Sequence, residues 1–264
     1  MRAMFTFAAG AGAPAVVFVH GFACDHTDWI AQIDALAAHH SVLACDLRGH
    51  GRTPGEPADC SIETCGADVA ALVAERIGAP AVLVGHSMGC RVVLEACRRA
   101  PERVAGLVLV DASRLGSGDP GEAAEAMRAA IDFVGFPAFA EALFKQMFLG
   151  PSAEAARIVE RAKRLSPSVG VALFASMVRW DAARMDEALG AVRVPLMVIQ
   201  STTMGPDRKR VALRAGETTP WLDLVRSRAP HARIETLVGL GHFPQLEAPA
   251  RVNALLANFL GTLA

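Results

Sequence analysis

Short apolar runs that end on a glycine or a polar residue recur along the chain and set its fold class. They are Ala15–Val19 before His20-Gly21, Ser41–Cys45 before Asp46, Ala81–Val84 before Gly85, Leu107–Val110 before Asp111 and Leu196–Ile199 before Gln200. Arg233–Leu237 is a sixth, more polar candidate. The apolar residues in these runs are continuous, not alternating, which is the pattern of strands covered on both faces, as in a parallel sheet. Segments of helical spacing lie between them, at Trp29–His39, Asp68–Ile77 and Met88–Arg99. Pro220–Arg228 and Pro249–Leu260 each open on a proline, which suits a first helical turn. This alternation predicts an α/β fold with a mostly parallel sheet and right-handed crossovers.

The alternation stops between Ser113 and Val192. That stretch holds helix formers (Glu122–Ala130, Pro137–Phe148, Ala153–Leu165 and Val169–Trp180) separated by Gly and Pro, with no convincing strand. It is read as a helical insertion over the sheet. With 264 residues, 52% of them apolar and 20% charged, the chain can build one large core and is not expected to be disordered. A net charge of -1 offers no electrostatic basis for binding nucleic acid or an anionic membrane. No apolar run reaches the roughly 18 residues of a membrane span, and Met1–Phe7 lacks the apolar core of a signal peptide. A soluble cytoplasmic protein is the expectation. The six cysteines form no C-x-x-C pair and no zinc spacing with histidine. Buried free thiols are expected, with Cys60 and Cys65 the only close pair.

The sharpest local signal is Gly85-His86-Ser87-Met88-Gly89, placed between a strand and a helix. A serine lifted above a sheet needs a tight strand-to-helix turn, and glycines two residues to either side remove the collisions that such a turn creates. The helix that follows directs its N-terminal dipole at developing negative charge. A serine hydroxyl needs a base to act as a nucleophile. His242, in Gly239-Leu240-Gly241-His242-Phe243, follows the last strand and can reach the carboxyl edge of the sheet. The N–H of Phe22, in His20-Gly21-Phe22, together with that of Met88, could hold an oxyanion. His20 and His86 are expected to pack or hydrogen-bond beside the site, and His50 to stabilise its own loop. Asp46 and Arg48 are read as a loop ion pair.

His20-Gly21-Phe22, Asp46-Leu47-Arg48-Gly49-His50-Gly51, Gly85–Gly89, and Gly241-His242-Phe243 with Glu247-Ala248-Pro249 occur in this order. On these motifs the chain resembles the α/β-hydrolase superfamily, in the branch of small bacterial capped serine esterases and lactonases. The resemblance implies a sheet of about eight strands flanked by helices. It also implies a hydrolase core of residues 1–112 and 193–264, with 113–192 as a helical cap. The N-terminal hairpin is reduced, with Met4–Phe7 its only candidate. Most relatives carry the acid of the triad just after the strand that corresponds to Leu196–Gln200. Here that loop reads Gln200-Ser201-Thr202-Thr203-Met204-Gly205, without a carboxylate. Asp111 ends the preceding strand, where some relatives place their acid, and it is preferred. Glu217 and then Asp207 are the alternatives.

The insertion is rich in apolar residues between Ile131 and Leu149. Most of this surface is expected to pack on the sheet and part of it to line a pocket for an uncharged acyl or alkyl group. Gly21, Phe136, Phe144, Trp180 and Trp221 are the candidate pocket residues. The expected activity is cleavage of a small-molecule carboxylic ester or lactone through an acyl-enzyme, by a monomer or homodimer, with no metal or organic cofactor. A carbon–carbon bond hydrolase or a perhydrolase on the same fold is the alternative. The former would need cations in the pocket, with Arg91, Arg114 and Arg179 as candidates. A non-catalytic ligand-binding protein of the same fold is the third reading.

Overall fold

The computed structural model describes residues 4–205 and 209–263. In chain order the first half contains β1 (Thr6–Ala9), β2 (Ala15–Val19), α1 (Ile30–Leu36), β3 (Val42–Cys45), α2 (Ile62–Arg76), β4 (Ala81–His86), α3 (Met88–Arg99) and β5 (Val104–Val110). Four helices follow without a strand: α4 (Pro120–Val134), α5 (Phe136–Lys145), α6 (Ala153–Ala162) and α7 (Pro167–Ala191). The chain then forms β6 (Leu196–Gln200), β7 (Thr202–Met204), β8 (Arg210–Ala212), α8 (Pro220–Arg228), β9 (Arg233–Thr236), α9 (Pro244–Glu247) and α10 (Pro249–Gly261). None of the described helices is long and apolar enough to cross a membrane.

The main sheet has the order β1-β3-β2-β4-β5-β6-β9, and only β1 runs antiparallel to its neighbour. Among the described residues it has seven strands where about eight were expected: a single strand, β1, stands where an N-terminal hairpin would supply two, and it pairs with β3 and not with β2. The continuous apolar runs divide cleanly between its two faces. Val17, Val19, Leu83, Leu107, Leu109 and Val198 join the core shared with α2, α3 and α7. Val16, Phe18, Val82, Val84, Val108 and Val110 meet Trp29, Ile33, Val252 and Leu256 on the opposite side. A strand buried on both faces has no polar face to alternate with, which is why the runs read as continuous.

Three local features differ from the sequence reading. Helix α2 starts at Ile62, six residues earlier than expected, because Ser61 and Thr64 form a reciprocal cap: the Thr64 N–H donates to Ser61 Oγ at 3.1 Å and the Ser61 N–H to Thr64 Oγ1 at 3.0 Å. The polar stretch after β6 contains a second, two-stranded sheet, β7-β8, which no alternating pattern announced. Asp46 and Arg48 do not pair with each other. Asp46 accepts from the His26 and Arg52 N–H groups at 2.8 and 2.9 Å, while Arg48 pairs with Asp68. All six cysteines are free and buried, Cys60 and Cys65 included.

The sheet order changes direction at β2, with β3 on one side and β4 on the other, and ligand crevices of open α/β sheets form beyond the strand ends at such a point. The turn after β4 is packed tightly against the end of β2. A Cβ on Gly89 would lie 2.4 Å from the Val19 carbonyl oxygen and 2.7 Å from that of His20, both rigid backbone. Gly89→Ala is therefore expected to lower stability by roughly 2 kcal/mol, within the usual range for overpacking. Gly190→Ala, with only the Arg228 carbonyl oxygen nearby at 3.9 Å, is expected to change it by less than about 0.5 kcal/mol. Urea unfolding of the two variants beside the wild type checks both.

Candidate active site

Ser87 sits between β4 and α3 with φ 53° and ψ -112°, a conformation that a non-glycine residue adopts only at a cost of order 1–3 kcal/mol. The surrounding sequence makes it tolerable. A Cβ on Gly85 would fall 2.4 Å from the Gly89 carbonyl oxygen, so both glycines of the motif are required by contact. The Ser87 N–H donates to the Val110 carbonyl at 3.0 Å, which ties the turn to β5. Met88 is the first residue of α3, where a backbone N–H has no acceptor within its own helix. Gly21, just beyond β2, lies directly against the serine: a Cβ there would be 3.3 Å from Ser87 Cβ.

His242 lies on the loop between β9 and α9 and is fixed from several sides. Its N–H donates to the Met147 carbonyl at 2.7 Å, and its own carbonyl accepts from His86 Nε2 at 2.7 Å. Glu247 accepts from the N–H groups of Gly241 and Phe243, at 3.0 and 3.2 Å. The ring is thereby set with Nε2 at 2.8 Å from Ser87 Oγ and Nδ1 at 2.6 Å from Asp111 Oδ2. An ionised Asp111 can only accept, so Nδ1 carries the proton and Nε2 is free to take one from Ser87.

Asp111 is fully buried just past β5, at φ 46°. The residues after β6 supply its donors: the N–H groups of Ser201 and Thr202, each at 2.8 Å from Oδ1, and the Thr202 hydroxyl on Oδ2. Ser201 Oγ lies within donating distance of Asp111 Oδ1, at 3.0 Å, and of the Gly241 carbonyl, at 2.7 Å, and its single proton serves one of them at a time. Burial alone would raise the Asp111 carboxyl, but His242, Arg210 and Thr202 outweigh it and hold the group at about 2. Burial, and then the neighbouring Arg210 cation, pull the His242 imidazole down to about 4 against the opposing pull of Asp111.

The other expected site residues are distributed less simply. Phe22 borders a small cavity of about 50 Å³ that also touches Ser87, Arg91, Leu143, Phe174 and Arg210. Phe136 and Phe144 support the Phe22 ring, with centroids 6.3 and 6.5 Å away, but do not line this cavity. Trp221 borders a neighbouring cavity of about 530 Å³ that shares Ser113, Met204 and Arg210 with the first. Trp180 is not a pocket residue: it is fully buried and its Nε1 donates to Glu95 at 3.2 Å. Glu217 is exposed and accepts from the Arg214 N–H at 2.8 Å, away from His242. Asp207 lies outside the described residues.

Arg91 does border the Ser87 cavity, but Asp181 clamps it through two contacts of 2.7 Å. Arg179 faces outward to Glu63 at 2.8 Å. Ser201, Thr202 and Arg210 were not singled out by sequence. The one available signal was the run of three hydroxyl residues, Ser201-Thr202-Thr203, where a carboxylate was expected. Among the described residues, no group of three or more His, Cys, Asp or Glu side chains could hold a metal ion.

Four histidines here are buried and neutral. Burial keeps His20, His50, His86 and His242 below the ordinary value of 6.5, with His50 and His242 at about 4. As pH falls, the unfolded chain therefore binds protons before the folded one does. The stability these groups contribute is complete above about 6.5 and is lost as pH drops toward 4. Asp111, with its value also depressed, adds a loss that begins only below about 4. The thermal midpoint is expected to be level from pH 8 to 7 and to fall steadily from 6.5 to 4. A flat midpoint across that lower window would contradict neutral burial.

Comparison with known proteins agrees with the fold. Residues 16–255 match the model of a family described as "Alpha/beta hydrolase family". The chain is 30% identical over 256 residues, 95% of its length, to a dihydrolipoyllysine-residue acetyltransferase component of the acetoin cleaving system from Pseudomonas putida. It spans only 64% of that relative's own length. Among solved structures, a thermophilic esterase from Thermogutta terrifontis superimposes with a TM-score of 0.76 at 24% identity, covering 98% of this chain and 93% of the other. An enol-lactonase from Burkholderia xenovorans does so with a TM-score of 0.76 at 23% identity, covering 98% and 96%. At these identities the two structures speak for the fold.

Proposed function

The chain belongs to the alpha/beta hydrolase family, and from that premise we propose that it is a serine hydrolase of small-molecule carboxylic esters, lactones included. The observation that carries the reading is the unbroken line of contacts from Ser87 Oγ to His242 Nε2 at 2.8 Å and from His242 Nδ1 to Asp111 at 2.6 Å. Three side chains from three strand ends hold the geometry that makes a hydroxyl nucleophilic.

In this mechanism Ser87 Oγ attacks the carbonyl carbon as His242 Nε2 takes its proton. The tetrahedral oxyanion is received by the N–H groups of Phe22 and Met88, the latter at the positive end of α3. Collapse expels the alcohol, protonated by His242, and leaves an acyl-Ser87. Water, deprotonated by the same imidazole, then attacks the acyl group and releases the acid. Asp111 keeps the proton on Nδ1 and stabilises the imidazolium without taking that proton itself. Residues 1–112 and 193–264 act as the hydrolase core. Residues 113–192 act as a cap, whose Leu143, Met147, Phe174 and Met177 close the cavity over Ser87.

Hydrolysis of p-nitrophenyl butyrate by the wild type and single variants tests the proposal. Ser87→Ala and His242→Ala are expected to lose at least about 10⁴-fold in kcat. Asp111→Asn, which keeps the shape but mis-sets the imidazole proton, is expected to lose on the order of 10³- to 10⁴-fold, and Glu217→Gln to retain wild-type turnover. Wild-type turnover in Ser87→Ala would overturn the proposal.

The pH profile follows from the same geometry. A base must be unprotonated to act, so kcat/KM of the wild type is expected to hold through pH 6 and to fall to half near pH 4, where His242 takes up its proton.

A further inference from the structure

Arg210, the first residue of β8, is a cation whose nearest carboxylate, Asp111, is shared with His242 and with the donors of Ser201 and Thr202. Its side chain is 8% exposed. Nη1 donates to Thr202 Oγ1 at 2.7 Å and lies 3.3 Å from Asp111 Oδ2. That carboxylate already accepts from His242, from the N–H groups of Ser201 and Thr202, and from the Thr202 hydroxyl, so Arg210 is its most distant partner. Among the described residues no acceptor meets Nε or Nη2 of Arg210. These groups are not sealed in the interior either. Arg210 borders both the Ser87 cavity and the neighbouring cavity of about 530 Å³, where Trp221, Pro220 and Leu224 supply apolar wall.

The other arginines at the two cavities are spoken for. Arg91 is held by both oxygens of Asp181, and Arg114 by Asp186 at 2.9 Å. A largely buried charge that shares its nearest carboxylate with several other donors is costly to keep. Burial pulls the Arg210 guanidinium below its ordinary range, whereas well-paired Arg48, Arg98 and Arg157 are raised above theirs.

We propose that Arg210 receives a carboxylate carried by the substrate, so that the site acts on esters or lactones of carboxylate-bearing compounds. This rests on the serine-hydrolase reading above and names its substrate class. It replaces the uncharged pocket expected from sequence. A planar guanidinium fork matches a carboxylate edge to edge. The free Nε and Nη2 edge of this one cation can receive one carboxylate, and a phosphate dianion would call for a second cation, which Asp181 and Asp186 withhold.

The test compares matched esters by pH-stat: monomethyl glutarate against methyl pentanoate for an acid on the acyl side, and carboxymethyl butyrate against ethyl butyrate for one on the alcohol side. The wild type is expected to favour the acidic member of at least one pair by tenfold or more in kcat/KM. Arg210→Gln should bring that ratio to one or below, and Arg210→Lys should keep part of it. Because Arg210 also touches Asp111, its variants lose turnover on all esters, and the ratio is the readout that this loss does not move. A wild type that hydrolyses the neutral members as well as the acidic ones in both pairs overturns the carboxylate proposal and leaves the serine-hydrolase reading intact. If the wild type hydrolyses none of the four, or Ser87→Ala matches it, the serine-hydrolase reading fails. Protection against heat by glutarate then decides the binding site alone: protection of the wild type and not of Arg210→Gln supports it, and no protection overturns it.

Discussion

The Asp111 carboxylate is the point on which the site depends, because it ties together three pieces of chain that are distant in sequence. It stands at the end of β5, takes its backbone donors from the residues after β6, and holds the imbedded imidazole of the loop after β9. A buried carboxylate without donors would be neutralised or expelled. Here every donor it receives comes from an element that the site also needs in place. The positive φ of Asp111 is part of the same arrangement: a chain leaving β5 in extended form would carry this side chain on past the strand end. Strain at Asp111 and at Ser87 is thus met by hydrogen bonds and packing in the core beneath, which is apolar on both faces of the sheet.

The helical segment between β5 and β6 is joined to this core by polar contacts as well as apolar ones. The Met147 carbonyl, just after α5, receives the His242 N–H, and Gly241 is glycine because a Cβ there would sit 2.5 Å from that carbonyl oxygen. Asp181 in the middle of α7 clamps Arg91 on α3 and also accepts from the Leu115 N–H at 2.6 Å. Movement of these helices as a body would therefore disturb the His242 loop and the wall of the Ser87 cavity together.

Most of the framework was legible in the sequence because it is written in local terms. Continuous apolar runs located β2 through β6, and the proline-led α8 and α10 fell where their first turns predicted. Gly85 and Gly89 announced the strained turn because only a residue without Cβ fits there. What was not legible depends on contacts between distant segments. Trp180 has the same composition signal as a pocket aromatic, and only the position of Glu95, 85 residues away, turns it into a core residue. The β7-β8 pair is three residues long on each side, too short for an alternating pattern to stand out. Arg210 lies within a polar stretch where one arginine reads like any other, and nothing local distinguishes a buried cation from a solvated one.

The position of the acid explains why the loop after β6 looks as it does. With the carboxylate at the end of β5, the residues after β6 are released from supplying one and instead must satisfy it. Hydroxyl and amide donors do that, and Ser201-Thr202 provides both kinds within two residues. The same chain then turns back through β7 and β8, and this return brings Arg210 against Thr202 and Asp111 from the cavity side. A glutamate or aspartate at residue 201 or 202 would place a second negative charge against Asp111 and remove these donors. The absence of a carboxylate in this loop is therefore a consequence of where the acid stands. It also leaves β6 free to carry, one hairpin further on, a cation at the edge of the Ser87 cavity.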